Sequence, residues 1–375
     1  MLTKGAIAWE VKKPYVIEEI DIGEPKFGEV RVRLVGSGLC HSDLHIADGD
    51  LPVAFFPVLG GHEGAGVVDK VGEGVTDVVE GDHVVLAFIP SCGKCHYCTT
   101  GRQNLCDLGA HLLDGQSISD GSYRVHVKGK PVVPCCALGT FAPYVTVHQA
   151  SVVRIEKDLP LDKAALVGCG VTTGWGSAVH VADTRPGETV VVVGTGGVGI
   201  NAVQGAAAAG ARRVIAVDPS PFKREQAQMF GASYTFPNLA AALEPVRELT
   251  RGRMADKVII TVGQIAGEHI TEGVEILGKG GTMAVTSMGA GDYSDVKLKL
   301  YEIALLQKSI KGGIFGGTSP RTEIPWLLDM YREGKLKLDE LVTSTYDLEQ
   351  VNQGYEDLVA DKNIRGMILY SDKDW

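Results

Sequence analysis

The 375-residue sequence has no long hydrophobic run, no basic stripe and no repeated or low-complexity segment. A membrane-spanning helix needs about 18 or more consecutive apolar residues, so the missing run predicts a chain with no membrane partner. The first residues mix charged and apolar side chains, which predicts no signal peptide and a cytoplasmic location. The formal net charge of −10 is spread along the chain. This argues against nucleic acid as a partner and leaves small uncharged substrates.

The composition is that of a globular protein, with 45% hydrophobic and 22% charged residues. At roughly 150 residues per domain, the length suggests about two domains. Residues 1–170 read as short β-like segments broken by Gly and Pro, which predicts a β-rich domain. Residues 171–313 alternate strands with Ala-rich helices, which predicts a doubly wound parallel sheet and an α/β fold class. Residues 314–375 carry no nucleotide motif and are expected to complete the first domain.

A glycine-rich turn lies between a strand at 188–193 and a helix. It reads Gly194-Thr195-Gly196-Gly197-Val198-Gly199. Such glycines permit a tight turn and let backbone approach a pyrophosphate, which binds at the helix N-terminus. The next strand ends in Asp218, where a carboxylate can accept hydrogen bonds from ribose hydroxyls and repel the 2′-phosphate of NADP. The pattern therefore favours NAD, the alternative being a glycine-rich turn followed by an incidental acid.

Four of the eight cysteines lie within fifteen residues, spaced C-x2-C-x2-C-x7-C: Cys92, Cys95, Cys98 and Cys106. Four thiolates can close a tetrahedral shell around one zinc ion and leave no open position, which is typical of a structural site. An iron–sulfur cluster and unliganded cysteines are the alternatives. The Cys-Pro ending common in clusters is missing, as is the basic surround of a nucleic-acid zinc ribbon.

Three further candidate ligands stand among glycines or polar residues in separate segments: Cys40, His62 and Cys169. Taken singly, a cysteine beside glycines is more often a small core residue. Taken together with the four-cysteine segment and the glycine-rich turn, in this order, the three segments resemble the zinc-containing medium-chain alcohol dehydrogenases. The resemblance covers nearly the whole chain.

The resemblance implies a GroES-like catalytic domain at 1–170, completed by 314–375, and a Rossmann NAD-binding domain at 171–313. It makes Cys40, His62 and Cys169 ligands of a catalytic zinc, in addition to the structural zinc. The expected reaction transfers a hydride between a primary or secondary alcohol, or the matching aldehyde or ketone, and NAD. A homodimer or homotetramer is expected.

The resemblance also assigns roles to residues around the metal. Ser42 is expected to take the alcohol proton and His45 to pass it toward solvent. Glu63 matches a carboxylate close to the metal, and Asp43 matches the acid that orients His62. Other residues are expected to contact substrate or coenzyme: Phe88 and Leu51 as channel walls, Thr173 on the nicotinamide, Lys223 at the adenosine ribose and Arg365 near the phosphates. Core packing is the alternative for Phe88, and a solvated surface position is the alternative for Arg365.

Two features depart from the family pattern. His41 stands where the family often has an arginine that binds pyrophosphate, and a neutral histidine gives up a forked, charge-assisted contact. Cys135 and Cys136 have no assigned role, although they fall where the family lines its substrate channel. Three rival functions stay open: a glutathione-dependent formaldehyde dehydrogenase, a zinc-free reductase of the same superfamily and a non-catalytic zinc-stabilised NAD-binding protein.

Several segments further resemble the actinobacterial nicotinoprotein, or nitrosodimethylaniline-dependent, subgroup: 4–10, the doubled glycine before His62, 107–139 and 171–176. In that subgroup NAD stays bound and is reoxidised in place by an external electron acceptor. His41 by itself predicts weaker coenzyme binding, so retention of NAD must come from other contacts.

Overall fold

The computed structural model describes residues 1–289 and 294–375, which form two compact units. The first unit comprises Met1–Cys169 and Ser319–Trp375, and the second comprises Gly170–Thr318. The second unit is thus an insertion in the sequence of the first. The predicted second domain ends at residue 313, whereas the compact unit continues to Thr318.

A contact between two glycines holds the extra residues in the second unit. The turn Phe315–Gly317 packs on the helix Gly170–Gly176. A Cβ at Gly316 would lie 2.4 Å from the carbonyl oxygen of Thr172, and a Cβ at Gly176 would lie 2.5 Å from the carbonyl oxygen of Gly316. The two backbones can approach this closely because neither residue has a side chain. Hydrophobic periodicity does not reveal such a contact, so the sequence did not predict that the second unit continues to Thr318.

The helices of the described residues are short and are labelled in chain order. They are α1 His41–Asp48, α2 His96–Thr99, α3 Leu161–Ala164, α4 Gly170–Gly176, α5 Gly199–Ala208, α6 Pro221–Met229, α7 Leu239–Leu249, α8 Gly267–Ile276, α9 Leu300–Leu305, α10 Pro320–Arg332 and α11 Val351–Val359. One-turn 3₁₀ or π segments lie at Gln103–Leu105, Asp107–His111, Cys135–Ala137, Gln149–Ser151, Ala165–Gly168, Ser177–Val181, Phe315–Gly317, Asp339–Leu341 and Leu348–Gln350. No helix in the described ranges is long and apolar enough to cross a membrane.

The strands are likewise labelled in chain order. Those of the first unit are β1 Leu2–Ala8, β2 Val16–Ile22, β3 Glu29–Gly38, β4 Val58–Leu59, β5 Gly64–Val71, β6 His83–Leu86, β7 Val125–Val127, β8 Lys130–Pro134, β9 Tyr144–His148, β10 Val152–Ile155, β17 Val342–Tyr346 and β18 Arg365–Leu369. Those of the second unit are β11 Thr189–Val193, β12 Arg213–Val217, β13 Tyr234–Phe236, β14 Ala255–Ile260, β15 Leu277–Val285 and β16 Ser309–Gly312.

The first unit combines a closed barrel with an open sheet. The barrel order is β1-β2-β7-β8-β4, and the sheet order is β10-β6-β5-β3-β18-β17, with β9 paired to β3. Strand β3 alternates in burial: Val30, Val32 and Leu34 are fully buried, while the intervening arginines are half-buried. This period of two places one face of the strand in the core.

The C-terminal segment contributes β18, the strand that pairs with the end of β3. Strand β18 runs antiparallel to β3, with Met367 opposite Gly38 and Leu369 opposite Gly36. Arg365 at the start of β18 therefore lies beside the end of β3. A Cβ at Gly38 would collide with the Glu63 carboxylate and lie 2.9 Å from Nη2 of Arg365. The glycine makes room for these two charged side chains.

The second unit is a parallel sheet with the strand order β13-β12-β11-β14-β15-β16. Every residue of β11 is buried, as expected for a strand with both faces covered by helices. Strand β11 lies inside the sheet. From it the chain adds β12 and β13 on one side and then β14, β15 and β16 on the other. The predicted doubly wound sheet and the α/β fold class are confirmed.

The close contact at Gly316 predicts that a methyl group added there lowers the free energy of unfolding more than one added at an open glycine. Gly316→Ala should destabilise the protein more than Gly280→Ala does. Both glycines have positive φ, +63° and +71°, but a Cβ at Gly280 meets nothing within 4 Å. The backbone cost of about 1 kcal/mol should be common to both, and the clash should add about 1–3 kcal/mol at Gly316. Chemical denaturation measures the difference, and equal losses would contradict the tight contact.

Candidate functional site

Four side chains of types that can bind a metal ion meet in the first unit, and they come from three separate segments of the sequence. The ligating atoms of Cys40, His62, Glu63 and Cys169 all lie within 4.8 Å of one another. Each residue is more than nine-tenths buried. Cys40 precedes α1, His62 and Glu63 precede β5, and Cys169 follows the turn Ala165–Gly168. We call these four residues the Cys40 cluster.

Asp43 fixes the orientation of the His62 ring. Its Oδ1 lies 3.0 Å from Nδ1 of His62 and also accepts a hydrogen bond from the backbone N–H of Gly61 at 2.9 Å. The other ring nitrogen, Nε2, lies 3.3 Å from Sγ of Cys169. A carboxylate on Nδ1 holds the proton there and leaves the Nε2 lone pair facing the sulfurs. The structure therefore places Asp43 where an orienting acid is needed.

The electrostatics of the cluster favour a cation. A hydrogen bond from Cys169 lowers the pKa of Cys40 well below the usual value. Burial lowers the pKa of His62, but the acidic groups of Asp43 and Cys40 together outweigh it, and the net shift is well upward. Burial raises the pKa of Glu63 to about 7. Oδ2 of Asp43 and Oε1 of Glu63 are buried without a hydrogen-bond partner. A positive ion among these groups would offset charge that burial otherwise penalises.

The donor set of the cluster fits zinc. Two cysteine sulfurs and one imidazole nitrogen are ligands that Zn²⁺ prefers, and three protein ligands leave one position for substrate. Adjacent nitrogen and sulfur ligands of a tetrahedral zinc are about 3.5 Å apart for bond lengths of about 2.0 and 2.3 Å. The 3.3 Å between His62 and Cys169 is close to that spacing.

Arg365 is buried against Glu63 and is not a solvated surface residue. It is 3% exposed, and its Nη2 donates to Oε2 of Glu63. The surface alternative is therefore wrong, because the antiparallel pairing of β18 with β3 carries Arg365 into the interior. The contact with coenzyme phosphates stays a prediction. Sequence reasoning missed this ion pair, since 302 positions separate the partners.

The four cysteines of the 92–106 segment form a second cluster. Their sulfurs all lie within 4.8 Å of one another, with 3.9 Å between Cys92 and Cys98 and 4.0 Å between Cys95 and Cys106. Two sulfurs on a tetrahedral zinc are about 3.8 Å apart for Zn–S bonds of about 2.3 Å. We call this group the Cys92 cluster, and its spacing fits a closed four-sulfur site.

Backbone N–H groups support the sulfurs of the Cys92 cluster. Cys92 donates to Sγ of Cys106, Cys95 donates to Sγ of Cys92, and Cys98 donates to Sγ of Cys95, each at 3.4 Å. The backbone N–H of Asp107 is the main cause that lowers the pKa of Cys95 to about 7. Burial raises the pKa of Cys106 to about 12. The backbone N–H groups of the loop thus favour the thiolate form of Cys95.

The proposed proton carriers lie on α1, directly after Cys40. Sγ of Cys40 donates to Oγ of Ser42 at 3.7 Å, so the hydroxyl is at the edge of the cluster. One turn further on, Nδ1 of His45 lies 3.0 Å from Oδ2 of Asp50, and His45 is 6% exposed. His41 is half-buried, with its ring centroid 6.3 Å from that of His45. Asp50, which sequence reasoning did not single out, holds His45.

An aromatic ring contacts the cluster, and two further residues pack with it against the core of the first unit. The Phe88 ring packs edge-on to the His62 ring with centroids 5.7 Å apart. Phe88, Leu51 and Cys136 are partly buried and pack against the core of the first unit. Their partial exposure suits channel walls, while their core contacts also satisfy the packing alternative for Phe88.

In the second unit, the glycine-rich turn joins β11 to α5. Gly194 has φ +84°, and a Cβ at Gly199 would collide with the carbonyl oxygen of Gly194. Gly196 has open space at its Cβ position. The turn is therefore tight where Gly194 meets Gly199 and open at its outer side. The N-terminus of α5 is suited to an anion because of the positive end of its helix dipole.

Asp218 is tied to the glycine-rich turn. Its Oδ2 accepts from the backbone N–H of Thr195 at 2.7 Å, and its Oδ1 accepts from Ser220 at 2.9 Å. The carboxylate is 4% exposed, so it is fixed in position by the turn it faces. Lys223 is half-buried on α6, and its carbonyl oxygen lies 3.4 Å from the Thr195 hydroxyl.

Sequence reasoning missed two residues that shape this turn. The Thr261 hydroxyl contacts the carbonyl oxygens of Val193 and Gly194 at 3.0 and 2.6 Å. Nη1 of Arg224 donates to the carbonyl oxygen of Asp218 at 2.7 Å. Thr261 directly follows β14. Residues that follow parallel strands lie at the carboxyl edge of the sheet, where ligands bind, and this position could have identified Thr261 from the sequence. Thr173 on α4 is buried, and its hydroxyl has no hydrogen-bond partner.

Two family profiles match the sequence. Residues 26–157 match the alcohol dehydrogenase GroES-like domain, and residues 197–333 match the zinc-binding dehydrogenase domain. The chain is also similar to curated proteins over its full length. It is 54% identical to alcohol dehydrogenase B of Mycobacterium tuberculosis over 374 residues, covering 100% of both chains.

Two further similarities bear on the subgroup and on the substrate. The chain is 51% identical to the NDMA-dependent alcohol dehydrogenase of Amycolatopsis methanolica over 371 residues, which is 99% of this chain and 100% of that one. Its fold matches the crystal structure of benzyl alcohol dehydrogenase from Acinetobacter calcoaceticus with a TM-score of 0.91. That match has 28% identity and covers 99% of this chain and 100% of the other.

The contact between Asp43 and His62 predicts a specific loss of metal affinity. Asp43→Asn removes the charge that holds Nδ1 of His62, so zinc retention should weaken about 10–100-fold. Asp50→Asn is the matched control, because Asp50 makes the same 3.0 Å contact with His45, outside the cluster. Competition with a chromophoric chelator measures the change. Equal retention by the two variants would show that Asp43 does not support the metal site.

Proposed function

The chain belongs to the zinc-containing medium-chain alcohol dehydrogenase family, and from this membership we propose that it oxidises a primary or secondary alcohol with NAD at the Cys40 cluster. The observation that carries the proposal is the convergence of two cysteine sulfurs and an oriented imidazole within 4.8 Å of one another. A protein that only bound NAD would not need three ligands and a proton carrier at one place.

Cys40, His62 and Cys169 would hold the catalytic zinc. When bound, zinc supplies Lewis acidity that makes an alcohol hydroxyl acidic enough to lose its proton at neutral pH. Asp43 keeps the imidazole aligned, and the ion pair with Arg365 keeps Glu63 beside the sulfurs.

The proton of the alcohol would leave through Ser42. Its Oγ accepts a hydrogen bond beside Cys40 and can take a proton while giving up its own. His45 then carries the proton toward solvent, and Asp50 stabilises the imidazolium that forms. The net reaction converts alcohol and NAD⁺ into aldehyde or ketone, NADH and one proton.

An apolar substrate group fits the surroundings of the cluster. Phe88 supplies aromatic surface and Leu51 supplies aliphatic surface, and both pack against the apolar core of the first unit. The similar protein from Acinetobacter calcoaceticus is named for benzyl alcohol, an aromatic primary alcohol. We therefore place benzylic and medium-length aliphatic alcohols among the substrates.

NAD would bind at the glycine-rich turn of the second unit. Its pyrophosphate would lie at the N-terminus of α5, and the Asp218 carboxylate would accept from the ribose hydroxyls. Because two backbone N–H groups fix Asp218, its charge cannot turn away from a 2′-phosphate. This favours NAD over NADP. Thr173, Lys223, His41 and Arg365 are the proposed further coenzyme contacts.

The similarity to an NDMA-dependent enzyme supports a tightly held coenzyme. The two proteins are 51% identical over 371 residues, which is 99% of this chain and 100% of the relative. We propose that NAD stays bound through the catalytic cycle and that an external electron acceptor reoxidises NADH in place. The alternative is an ordinary dissociable coenzyme.

The edge of the second-unit sheet supports a homo-oligomer. In the described part of the chain, β16 pairs with β15 alone, and all four of its residues are exposed. Leu300 and Leu305 on α9 are 75% and 77% exposed, and Ile310 on β16 is 41% exposed. An unpaired strand edge beside apolar side chains is suited to pairing with a second copy of the chain.

The two clusters predict two zinc ions per chain with unequal roles. Cys40→Ala should remove one zinc and reduce turnover to background while the melting temperature changes little. Cys95→Ser should instead lower the melting temperature or the soluble yield, because a closed structural site contributes to folding free energy. Thr99→Ala, beside Cys98, is the control for local disturbance. Metal analysis that finds one zinc or none in active enzyme would contradict this assignment.

Retention of NAD predicts a coenzyme that survives purification. Dialysed protein should release close to one NAD or NADH per chain on denaturation, assayed enzymatically in the supernatant. Turnover of benzyl alcohol should then require an artificial electron acceptor and should not depend on added NAD. An empty supernatant together with steady turnover on added NAD would return the protein to the dissociable class while leaving the alcohol dehydrogenase proposal intact.

A further inference from the structure

Cys135 and Cys136 form a pair of thiols outside both metal clusters. They follow β8 in the turn Cys135–Ala137, and their sulfurs are 3.8 Å apart. Cys135 is 2% exposed, whereas Cys136 is half-buried and packs against the core of the first unit. The pair is therefore reachable from one side.

The spacing of the two sulfurs matches that of two thiolates on one metal ion. Two sulfurs bound to a tetrahedral zinc are about 3.8 Å apart. The Cys92 cluster has the same spacing, 3.9 and 4.0 Å, between sulfurs drawn from different parts of its loop. In Cys135 and Cys136 the spacing arises between adjacent residues because Cys136 has φ +51° and ψ 32°, a left-handed conformation that turns its side chain toward its neighbour.

A third donor completes the group. A ring nitrogen of His62 and the sulfurs of Cys135 and Cys136 all lie within 4.8 Å of one another. Asp43, which orients His62, has a buried Oδ2 without a hydrogen-bond partner. A buried carboxylate oxygen without a partner points to a positive charge that the side chains alone do not provide.

We propose that Cys135, Cys136 and His62 form a third binding site, for a thiophilic divalent cation such as Zn²⁺ or Cd²⁺, that shares His62 with the Cys40 cluster. On binding, the two S–H bonds break, two sulfur–metal bonds form and the protons pass to solvent, with no change of oxidation state. Because both sites draw on one imidazole, an ion at Cys135 and Cys136 competes with full coordination at Cys40 and Cys169. The site gives the cation a second position beside the proposed catalytic one.

The test uses a chain that lacks the primary site but keeps the Cys92 cluster filled with zinc. In the full-length Cys40→Ala/Cys169→Ala background, Cd²⁺ is added and followed by native mass spectrometry and by the thiolate-to-cadmium charge-transfer absorbance. One Cd²⁺ should bind beyond the zinc of the Cys92 cluster. Adding Cys136→Ser or His62→Ala should weaken this binding at least tenfold, whereas His45→Ala should not. No additional Cd²⁺, or equal affinity with and without Cys136, would overturn the proposal.

A second measurement keeps the proposal testable if a triple variant fails to fold. In the double-variant background, Cd²⁺ should protect Cys135 and Cys136 together from alkylation, as read by peptide mass spectrometry. Unchanged alkylation at saturating Cd²⁺ would overturn it. Since the background lacks Cys40 and Cys169, neither result depends on whether the Cys40 cluster is catalytic.

Discussion

Charge compensation inside the first unit is the constraint on which the site depends. The acidic groups of Cys40, Cys169 and Glu63 are buried within a few ångströms of one another, and the buried carboxylate of Asp43 lies 3.0 Å from Nδ1 of His62. Isolated buried charge is costly, so each acid must be neutralised by a proton, a basic side chain or a metal ion. Arg365 compensates Glu63, and His62 lies on Asp43. The two sulfurs are left for a divalent cation, which makes metal binding the natural completion of this interior.

The two metal clusters differ in how they depend on the fold. The Cys92 cluster takes its sulfurs from fifteen consecutive residues, and its own backbone N–H groups support them. It needs only a local loop. The Cys40 cluster joins the ends of three separate segments and relies on strand β18 from the far end of the chain for its counter-charge. One cluster stabilises a loop, while the other requires that the first unit be complete.

The sequence predicted the features that depend on neighbouring residues better than those that join distant segments. Local patterns sufficed for the glycine-rich turn, the acid at 218 and the four-cysteine segment, because spacing along the chain fixes their geometry. Cys40, His62 and Cys169 were proposed as zinc ligands through family resemblance, since no short-range rule links them. The partner of Arg365 and the contact of Gly316 with α4 could not be predicted, because both depend on strand register and backbone approach. The tie between Thr195 and Asp218 was missed for a related reason: a backbone N–H leaves no residue signature.

The insertion of the second unit between Cys169 and Ser319 has a consequence for synthesis on the ribosome. The sulfurs, the imidazole and Glu63 are translated before the whole of the second unit, and Arg365 only after it. A nascent chain therefore carries a thiol-rich, acid-rich interior that lacks its guanidinium for the time taken to make about 150 residues. During that interval the sheet of the first unit lacks β18, and the acidic groups of its interior must remain protonated or in contact with water. Final closure of the interior coincides with the arrival of the strand that neutralises it.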